Sequence, residues 1–489
     1  MNTLPLSWAK CQFGEVASIV AGGTPNASEP ENFQISGGIP WITPADLSGY
    51  RDKYVSRGAR NLSEIGYASC SAKKLPAGTV VFSSRAPIGY VAIAKEEIST
   101  NQGFKNFVLP AELDSTFVYY YLQHIKPYAE SIATGTTFKE ISGASAAVLP
   151  LLIAPLAEQK RIAAKLDTTV EQVQRCRDRL ARVSPILKRL RQSILAMAVS
   201  GRLTQDWREE QANIDQVGSA PGETSVFDND KCDLPGVSKA DDIQSKEYED
   251  TEIWPKVFLG DVATGLSYGS SAKSERQGAV PVLRMGNIQN GKLDWNDLVF
   301  TSDPLEIEKY RLEKGDLLFN RTNSPELVGK TAVYKGEQPA IYAGYLIRVK
   351  CTERILPDFL NYCLRSPAGR HYCWQVKSDG VSQSNINAKK LAAFRFGLPP
   401  VDEQTEIIRR AESLFALVDS LQTRLTAARN VADQLIPALL AKAFRGELAP
   451  QDPDDEHASE LVERLIASHS AEANKRRRRA GKPIALAQK

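Results

Sequence analysis

The most constraining feature of this chain is that it repeats itself. Pro155, Glu158, Gln159, Ile162, Val173, Arg179, Leu180, Leu190, Leu195, Ala196, Ala198, Gly201 and Leu203 recur 245 positions later without a gap. Their counterparts are Pro400, Glu403, Gln404, Ile407, Val418, Arg424, Leu425, Leu435, Leu440, Ala441, Ala443, Gly446 and Leu448, which makes 13 identities in 49 aligned residues. The preceding segments correspond more loosely. Trp8 to Ala17 reads like Trp254 to Ala263, Ile39-Pro40 like Val280-Pro281, Gly78 to Phe82 like Gly315 to Phe319, and Ile88-Gly89 like Val328-Gly329. An offset close to half of 489 residues is too long for a solenoid repeat and means a tandem duplication of domains. Each copy is a globular part followed by a long helix.

The helix assignment rests on periodicity. From Leu156 to Val199 there is no glycine, and Ile162, Leu166, Thr169, Val173, Cys176, Leu180, Val183, Leu187, Leu190, Ile194 and Met197 are spaced alternately by four and three. The second copy gives Ile407, Ala411, Leu414, Val418, Leu421, Leu425, Ala428, Ala432, Leu435, Leu439 and Lys442. A mean spacing of 3.5 makes a narrow stripe that asks for a partner helix. The two helices are expected to pack on each other, the alternative being that each packs on its own globular part. Each would be roughly 65 Å long at 1.5 Å per residue. Pro185 and Pro437 fall inside them and predict a kink or short break, because an internal proline removes a backbone donor and crowds the preceding turn.

Residues 1–150 and 251–397 are dense in short apolar β-like runs such as Val80-Val81-Phe82 and Leu317-Leu318-Phe319, punctuated by Gly, Pro, Asn and Ser. Short helices are expected at Ser115 to Lys126 and Pro357 to Ser366, with Tyr119, Tyr120 and Tyr121 read as core. The fold class is therefore α+β, with two tandem similar mixed domains (1–150 and 251–397). They are separated by two long helices (151–203 and 398–448) that form an antiparallel coiled-coil spacer. A linker (204–250) and a charged C-terminal tail (449–489) complete the chain.

The formal charge of +3 conceals an uneven distribution. Residues 211–252 hold eleven acidic residues and three lysines, a net −8, and read as a mobile acidic linker; the remainder carries +11. A basic excess outside one acidic segment suits a partner rich in phosphates. Seven cysteines without a Cys-x-x-Cys pair argue against a disulfide framework or thiolate zinc site, and four histidines without metal-pair spacing argue against zinc hydrolysis. No apolar run approaches a membrane span and the N-terminus lacks signal-peptide character, so no membrane association and a cytoplasmic location are expected.

Catalytic motifs are equally lacking. Gly329-Lys330-Thr331 resembles the end of a phosphate-binding loop, but Ser324 stands where its first glycine belongs, and the repeat partner Gly89 points to a turn between strands. Leu398-Pro399-Pro400-Val401 lacks the polar leader and aromatic of an amino-methylating motif. Glu158-Gln159-Lys160 lacks a preceding Pro-Asp, and its repeat has Thr405 in place of the lysine, so it is no nuclease signature.

In their order and duplication, the Trp8 and Trp254 openings, Ile39-Pro-Trp-Ile42, Val280-Pro-Val-Leu-Arg284, Asn101-Gln-Gly103, the helix starts Pro155-Leu-Ala-Glu-Gln159 and Pro400-Val-Asp-Glu-Gln404, and Ala441 to Leu448 resemble the specificity subunit of Type I restriction-modification enzymes. The resemblance covers essentially the whole chain. It implies two target recognition domains on double-stranded DNA, two modification subunits and, for cleavage, two restriction subunits. It also implies that S-adenosylmethionine, ATP and magnesium belong to those partners, leaving this chain non-catalytic and without a cofactor or metal of its own. A bipartite, asymmetric site with a fixed gap is expected, its half-sites about one helical turn, roughly 34 Å, apart.

Base edges and phosphates are reached by Arg, Lys, amide and hydroxyl side chains on loops. In the first domain Ser83, Ser84, Arg85, Asn101, Gln102, Thr136, Thr137 and Lys139 are the candidates for DNA contact. In the second they are Arg284, Asn287, Asn320, Arg321, Asn323, Lys330, Ser382, Gln383, Ser384 and Asn385. Glu158, Gln159, Glu403 and Gln404 are candidates for a partner-facing surface, although carboxylates in a first helical turn also simply favour the helix dipole. Lys475 to Arg479 reads as a solvated basic tail. Two other readings stay open: the recognition subunit of a methylation-only system, and a coiled-coil scaffold that binds only proteins.

Overall fold

The computed structural model describes residues 4–85, 87–135, 139–217, 253–381 and 383–480. Its contacts divide into two units. Unit 1 comprises residues 1–181 and 427–489, and unit 2 comprises residues 182–426. Each unit therefore holds one globular domain, part of each long helix, and the segment after the end of one of them.

The globular domain of unit 1 is built on a five-stranded sheet. Its order is Ser18–Ala21, Phe104–Val108, Val80–Ser83, Val91–Ala94, Tyr54–Val55. The first three pairings are antiparallel and the last is parallel. Unit 2 repeats the central part: Ala263–Tyr268, Leu346–Cys351, Leu317–Asn320, Thr331–Val333, all antiparallel. The near-continuous apolar runs at Val80-Val81-Phe82 and Leu317-Leu318-Phe319 follow from burial on both faces of these central strands. Helices Ser115–His124 and Pro357–Arg365 pack against the sheets, and Tyr120 and Tyr121 are buried in the core. Gly329 adopts φ +84° in the turn between Leu317–Asn320 and Thr331–Val333, which accounts for the glycine without any phosphate loop.

A second, two-stranded sheet closes each domain. Ala9–Gln12 pairs with Pro150–Ile153, and Lys256–Phe258 pairs with Arg395–Gly397, so each domain begins and ends at one place, directly before its long helix.

The long helices run from Leu156 to Val199 and from Val401 to Ala443. They pack together and are antiparallel in each unit. In unit 1 Arg177 pairs with Asp433 at 3.3 Å while Arg429, earlier on the second helix, donates to the Leu180 carbonyl at 2.9 Å. In unit 2 Arg191 bonds Asp419, and Arg410 donates to the Leu203 carbonyl at 3.0 Å. Burial is narrower than the full stripe. Leu166, Val173, Leu187 and Ile194, and Ala411, Val418, Leu425 and Ala432, are buried at spacings of seven or fourteen. Past Ile162 and Ile407, which are buried at the helix starts, the interleaved row is half-buried or exposed, with Cys176, Leu190, Leu421 and Leu435 open. One helix against another covers only the middle row; the flanking row needs more neighbours than a pair supplies.

Neither proline interrupts its helix. Pro185 cannot bond the Ala181 carbonyl one turn back, and the Arg429 guanidinium reaches that oxygen at 3.3 Å. In the reciprocal direction, Arg177 donates to the Ala432 carbonyl at 3.2 Å, five residues before Pro437. At Pro185 the orphaned carbonyl is thus served by an arginine of the other helix; the Ala432 carbonyl lies one residue before the acceptor that Pro437 leaves free.

Both long helices stop at a glycine, Gly201 and Gly446, each with φ +76°. Beyond these glycines the chain departs from expectation. Residues expected to open the linker form a helix, Gln205–Val217, while 218–252 lie outside the described residues. The C-terminal segment is not simply a solvated tail. Residues Ala458–Ala480 are helical, and Ala458, Leu461, Val462 and Leu465 are buried in the core of unit 1 beside Trp8 and Phe13. Burial of such side chains stabilises by about 1.5–3 kcal/mol each. The basic cluster Lys475 to Arg479 lies within this helix, its side chains outside the described residues. No described helix is long and apolar enough to cross a membrane.

Candidate nucleic-acid interface

The junction between each domain and its helix positions everything else. In unit 1 the Trp8 indole donates to a Glu158 carboxylate oxygen at 3.0 Å, and Gln451 donates to the other oxygen at 2.5 Å. In unit 2 Trp254 donates to Glu403 at 2.9 Å, and Thr204 and Arg208 occupy the remaining oxygen. The neighbouring glutamines act as backbone clamps. Gln159 accepts from Asp114 N at 3.0 Å and donates to Ala154 O at 2.8 Å; Gln404 accepts from Leu356 N at 2.7 Å and donates to Pro399 O at 2.9 Å. All four side chains are at most 2% exposed. Glu158, Gln159, Glu403 and Gln404 therefore face inward and not a partner, a correction whose cause is that they complete the bonding of the domain's own entry and helix. Burial lifts the Glu158 carboxyl above its ordinary range, with the Trp8 and Gln451 bonds pulling it back.

In the first domain the structure brings the candidate segments together. Ser84 N bonds Gly103 O, Ile141 N bonds Ser84 O, and Arg85 bridges to Glu140. Within this cluster the two serines turn inward. Ser83 Oγ donates to Pro87 O and accepts from Tyr90 N, and Ser84 Oγ donates to Gly103 O, both with no exposed surface. They fix the loops and cannot reach a duplex. Arg85 is half-buried, with an ion pair to Glu140 at 3.6 Å. Asn101 is half-buried and accepts from Gly103 N at 2.9 Å, Gln102 is exposed and accepts from Thr24, and Lys139 is exposed. Thr136 and Thr137 lie outside the described residues.

The second domain behaves similarly. Strands Thr322–Asn323, Ser384–Asn385 and Ser378–Asp379 pair, so the segments around Arg321 and Gln383 converge. Asn287 is buried and holds its own loop, accepting from Arg284 N and donating to Asp294 O and Asn296 O. Asn320 is buried with neither amide atom bonded, and Ser384 is buried and donates to Asp379. These three also leave the set a duplex could reach. Arg321 is half-buried with its guanidinium 4.6 Å from the Tyr268 ring centre. Arg284 donates to Asp297 O at 2.8 Å, Lys330 approaches Gln289 at 3.5 Å, Asn323 accepts from Ser324 N, and Asn385 donates to Thr322 at 2.7 Å. Gln383 is exposed, and Ser382 lies outside the described residues.

Sequence reasoning passed over the residues that orient these groups. Lys105, nearly buried, reaches both Ser84 and Glu140. Lys377 holds the Asp379 carboxyl below the usual carboxylate range, with help from Ser384. Arg60 stacks 3.9 Å from the Phe33 ring centre. Each is a single charge with no local pattern to mark it; only the non-local pairing of strands places it.

The family model for the Type I restriction modification DNA specificity domain matches twice, over residues 5–182 and 251–428. The chain belongs to that family. Both matches begin just before the junction tryptophans Trp8 and Trp254 and extend well into the long helices, so the family unit includes domain and helix together. Among its relatives, the Type I restriction enzyme EcoKI specificity subunit of Escherichia coli K12 is 32% identical over 359 residues, which cover 71% of this chain and 69% of the relative. The EcoBI specificity subunit of Escherichia coli is 26% identical over 494 residues, 96% of this chain and 94% of the relative. Two solved structures share the fold. One, from a study of type I restriction-modification complex assembly, superposes with a TM-score of 0.64 at 18% identity, covering 91% of this chain and 99% of its own. The HsdS subunit from Thermoanaerobacter tengcongensis gives 0.53 at 18% identity, covering 91% and 98%. The chain has the role of a Type I restriction-modification specificity subunit.

Proposed function

We propose that each domain of this non-catalytic subunit reads one half of an asymmetric, bipartite DNA site, and that the paired helices fix the gap between the halves. The observation that carries the reading is the doubled lock: two domains that share a four-strand sheet order, each bolted by Trp and Glu to the start of its own long helix. Such a joint holds a reading surface rigidly with respect to the helix it precedes. The surfaces themselves differ, with Arg85, Gln102 and Lys139 available in one and Arg284, Arg321, Lys330 and Gln383 in the other. Different donors reach different base edges, so the two half-sites differ.

Adenine methylation with S-adenosylmethionine and magnesium- and ATP-dependent translocation and cleavage are assigned to two modification and two restriction subunits that this chain positions on double-stranded DNA. Co-expression with the modification subunit followed by sequencing of methylated adenine tests the reading. A two-part motif with a fixed gap is expected, and exchanging residues 1–150 for those of another family member should replace one half only. A contiguous or palindromic motif would overturn it.

A further inference from the structure

The ends of the two long helices differ at one repeat-equivalent position, and the difference opens a cavity. In unit 1 the Phe444 ring is 2% exposed. It lies 5.3 Å from Phe117, 5.0 Å from Tyr121 and stacks on His124 at 5.2 Å between ring centres. The offset of 245 that aligns Ala196 with Ala441 and Gly201 with Gly446 puts Val199 where Phe444 stands. The surroundings correspond as well, since Trp254 meets Phe359 edge-on at 6.2 Å as Trp8 meets Phe117 at 6.3 Å. With valine in place of the ring, unit 2 keeps a cavity of about 540 Å³, walled by Val199, Trp254, Cys363, Phe394 and Phe396.

Two further observations limit what could fill it. The volume lies within the few hundred to a thousand Å³ of sites that hold ligands, and its walls are mainly apolar and aromatic. Lys256, His371 and Arg395 also line it, His371 and Arg395 being exposed, and no carboxylate is among the described lining residues. The seat in the twin unit takes a phenyl ring, and here the Arg395 guanidinium borders the same seat.

We propose that this cavity docks a partner-protein segment presenting an aromatic ring beside a carboxylate. The ring takes the place that Phe444 fills in unit 1, and the carboxylate meets Arg395 and its neighbours. Because unit 1 fills its own seat, the contact is made once per chain, which makes two otherwise similar partner sites unequal. Identifying that partner as the modification subunit rests on the proposed function.

Phenylacetate, a ring with a carboxylate, is the first probe, read by saturation-transfer NMR with the full chain. Wild type is expected to give a signal that Val199→Phe abolishes and Arg395→Glu, at an exposed position, reduces at least severalfold. Absence of a signal in wild type, or a signal in either variant as strong as that of wild type, would overturn the proposal. The second probe is the purified modification subunit titrated into the full chain. Val199→Phe is expected to weaken one of two binding steps about tenfold, with the thermal midpoint unchanged or raised; two unaltered steps would overturn the partner assignment. A chain that binds phenylacetate but no modification subunit keeps the site and overturns the proposed function instead. If Phe227→Ala with Tyr248→Ala strengthens phenylacetate binding, the chain's own segment occupies the cavity and the partner proposal falls.

Discussion

The Trp8 indole donates to the Glu158 carboxylate across 3.0 Å in the interior of unit 1, and Trp254 makes the same bond to Glu403 across 2.9 Å in unit 2. Removing one donor from a buried carboxylate leaves its desolvation uncompensated, at a cost of about 1–3 kcal/mol. Trp8→Phe keeps most of the packing and loses the bond, so urea unfolding should show a loss of that size. A change below about 0.5 kcal/mol would mean that Gln451 alone satisfies Glu158.

The same carboxyl gives a pH signature. Burial raises its folded pKa, so the folded state holds the proton more tightly than the unfolded one. Its contribution is therefore fully present below the unfolded pKa and is lost as pH rises through the folded value. Relative to Glu158→Gln, wild type should lose stability as pH rises from the ordinary carboxylate range through the raised folded value. Parallel stability curves for the two proteins across that window would contradict the placement of Glu158.

Arg429 and Pro185 should be energetically coupled through the Ala181 carbonyl. Arg429→Met leaves that oxygen without a donor and should cost about 1–2 kcal/mol. In a Pro185→Ala background the helix supplies its own donor, and the cost should fall by roughly half. Additive effects in this double-mutant cycle would show that the arginine acts through the Leu180 carbonyl alone.

Truncation before Ala458 should unfold or severely weaken unit 1, because Leu461, Val462 and Leu465 are part of its core. The single change Leu461→Ala should cost about 2–5 kcal/mol. Thermal denaturation provides the measurement. An unchanged midpoint after truncation would return the segment to the status of a tail.

Under the proposed function, Arg321→Ala should relax one letter of the half-site assigned to residues 251–397, at about 1–3 kcal/mol, and spare the other half. Lys139→Ala should instead weaken binding about uniformly over sequences and reduce the salt dependence by about one counterion. Ser83→Ala, buried under Pro87 and Tyr90, should alter stability and no letter. Methylation sequencing and salt titration of DNA binding distinguish these outcomes.

The duplication, the sheet-forming runs and both long helices were legible because each depends on local pattern: an ungapped offset, apolar runs, a 3.5-residue spacing. Glu158 and Glu403 show the limit. Their position in a first helical turn is compatible with a solvent-facing role, and only the distant indole that bonds each one reveals that it is inside. Ser84 and Asn287 were misplaced for a related reason: short polar side chains on loops serve backbone groups as readily as ligands, and sequence does not say which way they turn. The helix at Ala458–Ala480 was hidden by its charge. Its buried residues are few, and the surface they cover includes Trp8, at the far end of the chain.

The two locks also bear on how such a chain can change by descent. Between Trp8 and Glu158, and again between Trp254 and Glu403, the two internal copies share little beyond their framework, yet both close on the same indole, the same carboxylate and the same adjacent amide. A newly acquired domain has to satisfy only that small joint to sit correctly on its helix. Everything it displays elsewhere is open to selection, so an exchanged domain can bring a new surface without a redesign of the protein that carries it.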